Sequence, residues 1–147
     1  MANLPARHVA RVVVLDAQEL VLLLRYQHHH GTREHFWVPP GGALEQGESH
    51  RAAAKRELAE ETGLDLQIGR QLWRRQFQLE LRSHLVEQFE HYYLARVNEC
   101  APVVRNSTSE DILELRWWSL AELRDSQVTL YPEGFADKLA GLVRTTA

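Results

Sequence analysis

The sequence predicts an α+β domain in which a mixed β-sheet lies between helices, and three observations carry that prediction. Several segments are dense in β-branched and aromatic residues. Two of them, early in the chain, are apolar at odd and even positions alike, so both faces of those strands are expected to be covered. One strongly helical segment, rich in Ala, Glu, Lys and Arg, interrupts the strand-forming stretches.

His8 to Leu15 (HVARVVVL) reads as the first strand and Leu20 to Tyr26 (LVLLLRY) as the second, joined by a polar turn over Asp16 to Glu19. A polar loop, Gln27 to Glu34, contains His28, His29 and His30. Phe36-Trp37-Val38 is a short strand that runs into the turn Pro39-Pro40-Gly41-Gly42. The helix is expected over Ser49 to Thr62, with Ser49 as N-cap and Gly63 as its stop. Trp73 to Leu81 alternates, placing Trp73, Phe77, Leu79 and Leu81 on one face. Val86 to Val97 is a further strand, able to pair with it around Arg82-Ser83. Ile112 to Trp118 reads as another strand. Ser119 can cap a short helix through Leu123, and Pro132 can open a terminal helix over Glu133 to Val143.

A chain of 147 residues without repeats or low-complexity linkers fits one domain, 1–147, with room for a real core. Its 44% hydrophobic and 25% charged residues are ordinary for a globular protein. No apolar run approaches the roughly 20 residues of a membrane helix. Met1 to Arg7 lacks the apolar stretch of a signal peptide, so no membrane association and a cytoplasmic setting are expected. Cys100 is the one cysteine, which excludes an internal disulfide and a cysteine-based zinc site. A net charge of −3 argues against general nucleic-acid binding. Fifteen of the seventeen basic residues are Arg, a bias that background composition accounts for before phosphate recognition does.

The helix carries the chemistry. Glu57, Glu60 and Glu61 stand at i, i+3 and i+4 and share an arc of roughly 100°. Three carboxylates on one face repel one another, and a divalent cation removes that objection, since Mg²⁺ favours carboxylate oxygens and leaves positions open for phosphates. Leu58 is the only large apolar side chain of the helix, so the face that should pack inward is partly a carboxylate face. A structural helix would carry leucines there; this one breaks its pattern in the way functional sites do. Gly41 and Gly42 permit a close backbone approach to a ligand, and Arg56 is placed to neutralise and orient its acidic neighbours.

These residues resemble the Nudix family. The Nudix box, GX5EX7REUXEEXGU with U aliphatic, is matched without a gap by Gly42, Glu48, Arg56-Glu57, Leu58, Glu60-Glu61, Gly63 and Leu64. The preceding WVPPGG and the later RWWSLAEL are similar to what Nudix domains carry at those places. The resemblance implies the Nudix fold and a hydrolase that cleaves a diphosphate bond in a nucleotide-type substrate, with Mg²⁺ as cofactor and Mn²⁺ as a possible substitute. It implies Glu57, Glu60 and Glu61 as metal ligands. Glu48 would assist through the metal's water shell, a carbonyl at Gly41 or Gly42 would contribute, and Arg56 would orient the carboxylates. The family places its general base variably: Glu57 and Glu60 are candidates inside the box. Outside it the candidates are Glu87, Glu90, Asp111 and, favoured, Glu110. Nudix domains are often dimers, so a homodimer is a further implication.

Other features weigh less. Three consecutive histidines cannot all point one way, and His28 to His30 reads as a polar loop rather than a metal site. Arg25, Tyr26, Trp37 and Gly41 are candidate substrate contacts, although core packing is the commoner role for Trp37, Trp117 and Trp118. The series Arg70, Arg74, Arg75, Arg82 is expected to be a solvated face. No proline follows the box at Leu79-Glu80-Leu81, where ADP-ribose pyrophosphatases tend to have one, and the diadenosine polyphosphate and NADH markers are absent too. A compact nucleoside di- or triphosphate pyrophosphatase is the expectation. The alternatives are an ADP-ribose, NDP-sugar or dinucleoside polyphosphate enzyme, a non-catalytic nucleotide-binding domain, or an isopentenyl-diphosphate isomerase. Cys100 lacks the context the last would need.

Overall fold

The computed structural model describes residues 4–27, 35–107 and 111–144. Its first half contains β1 (Ala6–Leu15), β2 (Val21–Gln27), β3 (His35–Val38), β4 (Gly41–Ala43) and α1 (His50–Thr62). The second half contains β5 (Gln71–Leu81), β6 (His84–Arg96), β7 (Ile112–Trp118), α2 (Leu120–Asp125), β8 (Thr129–Leu130) and α3 (Phe135–Ala140). The strands form one mixed sheet along the path β5-β6-β1-β2-β3-β8, with β4 added to β1 and β7 to β2. β1 runs parallel to β6 over its whole length, from Ala6↔Glu87 to Leu15↔Arg96.

Alternation within the strands sorts side chains into two layers, as the two-sided apolar pattern predicted. Ala10, Val12 and Val14 of β1, with Leu22, Tyr93 and Ala95, pack under Ala53, Ala54 and Leu58 of α1. The intervening residues Val13 and Leu15, with Val21, Leu23, Tyr92, Trp37 and Trp118, pack against Leu123 of α2 and Phe135 and Leu139 of α3. Helices therefore lie on both sides of the sheet. Among the described residues no helix is long and apolar enough to cross a membrane.

β5 and β6 form the expected hairpin, with Arg82 and Ser83 both at positive φ (51° and 67°), the conformation a two-residue turn demands. The terminal helix is shorter than the expected Glu133 to Val143. Gly134 adopts φ 73° as the left-handed N-cap, which delays the start to Phe135, and the helix ends at Ala140 before Gly141. The Gly41-Gly42 turn is also corrected: these residues form strand β4, antiparallel to Val9, Ala10 and Arg11.

One topological detail prepares the site. β1 meets β2 at Leu15↔Val21, where the polar turn joins them, and the middle of β1, Val9 to Arg11, pairs with β4 instead. β2 meanwhile pairs with β3 and β7. The two strands splay, and side chains of β1, β3, β5 and β6 face a common gap.

Candidate active site

The box helix is fixed at both ends. The Ser49 hydroxyl accepts the Ala52 N–H at 3.1 Å, and Gly63, at φ 77°, donates its N–H to Ala59 at 2.9 Å. Ala53, Ala54, Leu58, Glu61 and Thr62 are buried. The expected conflict is therefore real, because Glu61 is 4% exposed on the same face as Leu58.

Glu61 is held from two sides. Its Oε1 accepts the Gly41 N–H at 2.7 Å, and its Oε2 accepts the Tyr26 hydroxyl. Burial pushes its carboxyl up to about 7, against the Tyr26 hydroxyl, and the Glu57 charge adds to the rise. Burial likewise raises Glu57 above the usual carboxylate range. Two neighbouring carboxyls that resist ionisation lack positive charge.

Arg56 supplies part of it. Its Nε and Nη2 fork both oxygens of Glu48 at 2.8 and 2.9 Å. Nη1 reaches Glu57 at 3.0 Å and Glu60 at 3.2 Å, while Nη2 also bonds the Ala43 carbonyl at 3.1 Å. The Arg56 hydrogen bonds, together with the Glu45 N–H, bring Glu48 down to about 2. One guanidinium thus gathers the box carboxylates and ties them to β4. Among the described residues no three His, Cys, Asp or Glu side chains converge as a finished coordination shell. The donor set nonetheless suits a hard divalent ion. It is all carboxylate and carbonyl oxygen, two of its members are short of positive charge, and Gly42 keeps space open: a Cβ there would stand 2.7 Å from the Glu57 carboxylate.

Beyond Gly41 the gap between β1 and β3 opens into a cavity of about 400 Å³. Phe36, Val38, Phe77, Leu79 and Tyr131 provide its apolar walls, and Arg11, Arg75, Gln88, Glu90 and Tyr92 its polar side. The cavity adjoins the carboxylates through two contacts. Arg11 lies against Gly41, so close that a Cβ on that glycine would sit 2.7 Å from it, and Tyr26 stacks on Phe36 at 5.7 Å.

The structure thus brings together Glu48, Arg56, Glu57, Glu60, Glu61, Gly41, Gly42 and Tyr26. Arg25 is separated from them, because strand alternation turns it to the opposite face of β2, where it bonds Glu114 at 3.2 Å and His35 at 2.7 Å. Trp37 is packed edge-on against Trp118 in the core and does not line the cavity. Trp117 faces the other layer from Trp118, its indole N–H bonded to the Pro102 carbonyl. Glu110 and His28 to His30 lie outside the described residues. On the polar side of the cavity the sequence singles out Glu90 alone, and Arg75, expected on a solvated face, instead lines the cavity and bonds Glu90 at 2.9 Å; two signals mark the rest. Arg11 interrupts an apolar strand, and Gln88, Glu90 and Tyr92 repeat every second residue with polar groups pointing one way.

A domain model described as the NUDIX domain matches residues 5–138, and the chain belongs to the Nudix family. It is similar to the m7GpppN-mRNA hydrolase NUDT17 of Xenopus laevis, 38% identical over 100 residues that cover 60% of this chain and 32% of that protein. Similarity to the RNA pyrophosphohydrolase of Bartonella quintana (strain Toulouse) is 38% over 68 residues, 44% of this chain and 39% of that one. The chain spans less than half the length of these curated relatives. A solved NUDIX domain, that of Shewanella oneidensis NrtR complexed with ADP ribose, superimposes with a TM-score of 0.72 at 18% identity, covering 98% of this chain and 90% of that one. That likeness is one of fold.

Proposed function

We propose that this chain is a divalent-metal-dependent pyrophosphohydrolase that cleaves a phosphoanhydride bond in a nucleoside di- or triphosphate or a related nucleotide derivative. The observation that carries the reading is the junction of a part-buried carboxylate helix face with an aromatic-walled cavity. Glu57, Glu60 and Glu61 would hold Mg²⁺ or Mn²⁺, with Glu48 and the backbone of Gly41 or Gly42 in support. When bound, the ion polarises phosphoryl oxygens and lowers the pKa of an attacking water. The chain's own groups do the rest. Arg56 spaces Glu48, Glu57 and Glu60, and Gly41 with Tyr26 fixes Glu61. The cavity takes the nucleoside, so that the phosphate chain extends over α1.

A panel of dNTPs, NTPs, ADP-ribose, NDP-sugars and dinucleoside polyphosphates, each assayed with Mg²⁺, Mn²⁺ and EDTA, tests this. At least one substrate should yield a phosphate or nucleotide product with metal and none with EDTA. Binding without turnover across the panel would leave a nucleotide-binding domain instead.

Arg56→Lys is expected to cut kcat by at least about tenfold and to raise the Mg²⁺ concentration needed for half-maximal rate. Lysine has no planar fork for Glu48 and one point charge for Glu57 and Glu60. Metal titration of the steady-state rate reads both changes, and an unchanged metal requirement would count against the orienting role.

A further inference from the structure

The polar side of the cavity has an uneven balance of hydrogen-bonding groups. Glu90, 3% exposed, accepts four donors. Tyr92 and Arg75 Nη1 each bond its Oε1 at 2.9 Å, while Gln88 Nε2 at 2.9 Å and Arg11 Nε at 3.4 Å reach Oε2. The Gln88 carbonyl is occupied by Arg7 at 2.5 Å, which also fixes that amide with its N–H toward Glu90. The Pro39 carbonyl takes Arg11 Nη1 at 3.1 Å. Burial works to raise the Glu90 carboxyl, but the Arg11 charge and the Tyr92 hydroxyl outweigh it and hold Glu90 below the usual range, so it stays an acceptor only.

Among the described residues, the Glu90 carboxylate is therefore filled and the Gln88 carbonyl is turned to Arg7, whereas donors remain. Each guanidinium has five N–H groups; these bonds use two on Arg11 and one on Arg75, which also lies against the Tyr92 hydroxyl. Glu133 is the other acid at the cavity, and it stands exposed to water. The remaining walls are flat rings and aliphatic carbons, with Arg75 laid over Phe77 at 4.7 Å, and the one further polar group among the described residues is the hydroxyl of Tyr131, a half-exposed residue set edge-on to Phe36. Such walls suit a planar base better than a hydrated anion. The group that enters must bring acceptors to Arg11 and Arg75.

Building on the reading that the cavity takes the nucleoside, we infer that it selects a 6-oxopurine, seated with the O6 and N7 edge of the base toward Arg11 and Arg75. Two adjacent acceptors match the guanidinium fork. Adenine presents an amino group beside N7, so its N–H would face the N–H donors of Arg11 and Arg75, where the Glu90 carboxylate is already filled and the Gln88 carbonyl is turned to Arg7. A buried donor left unpaired in this way is strongly discriminated against.

The test is calorimetric titration of the full chain with GMP, IMP and AMP, paired with kcat/KM for GTP, ITP and ATP under Mg²⁺. GMP and IMP should both bind at least about tenfold tighter than AMP, and GTP and ITP should lead ATP by a similar factor. IMP separates the oxo edge from the 2-amino group of guanine. Arg75→Met should bring GMP and AMP affinities to within about threefold of each other, chiefly by weakening GMP. The wild-type comparison stands without the variant. If AMP binds as well as GMP, or ATP turns over as well as GTP, the oxopurine assignment is wrong while nucleotide hydrolysis survives. If no nucleotide is bound or cleaved, the proposed function falls with it.

Discussion

Glu57→Gln and Glu60→Gln are each expected to lower kcat by at least about 10²-fold on the best substrate, with the fold retained. Glutamine keeps the shape of the side chain and removes its charge. For Glu60, whose side chain is 40% exposed, the stability cost should be small, since its bond to Arg56 is one of several made by that guanidinium. Glu57 is less exposed, at 17%, and its carboxyl is already raised by burial, so neutralising it relieves a cost while Arg56 keeps its fork to Glu48. The loss should therefore appear in chemistry and metal affinity and leave the thermal midpoint within a few degrees. Product release followed alongside a circular-dichroism melt reads both quantities. Wild-type turnover in both variants would refute the assignment of these carboxylates to the metal.

The second large effect concerns stability. Gly41→Ala should destabilise the domain by about 3 kcal/mol or more. A Cβ at this position would lie 2.2 Å from the Ala10 carbonyl oxygen and 2.7 Å from Arg11 Cα, both backbone atoms. Neither can retreat easily, because Ala10 and Arg11 are paired with β4 on one side and with His91 and Tyr92 of β6 on the other. The backbone at φ 155° adds strain for any residue with a Cβ. For a domain of this size the midpoint should fall by roughly 6–12 °C. Gly47→Ala is the matched control: its φ is +79° but nothing lies within 4 Å of the added carbon, so its cost should be about 1 kcal/mol. Equal losses in the two variants would show that backbone conformation, rather than the close approach to β1, sets the requirement for glycine at position 41.

The box was legible because its spacing is local: one helix at 100° per residue decides which side chains share a face, and Ser49 and Gly63 mark its ends in sequence. The two-sided strands predicted helices on both sides of the sheet for a similar reason. The cavity was not legible in that way. It depends on β1 leaving β2 for β4, and no residue near the polar turn announces that departure. Tyr26 and Arg25 illustrate the difference. Both are candidate substrate contacts in the sequence, yet alternation sends one to Glu61 and the other to Glu114. Arg11 and Glu90 lie 79 positions apart, and only a register between β1 and β6 joins them.

That parallel register has a consequence for how the protein comes into being. During synthesis the box helix, 13 residues long with mutually repelling carboxylates, gains little on its own, and β1 must wait for β6, whose partner residues run to Arg96. Until then β1 has an unsatisfied edge, and the wall that should separate the arginines from water does not exist. Pairings this distant in sequence slow folding, since a long loop must close before any contact rewards it. A nascent chain halted before β6 should thus be protease-sensitive and unable to retain a nucleotide.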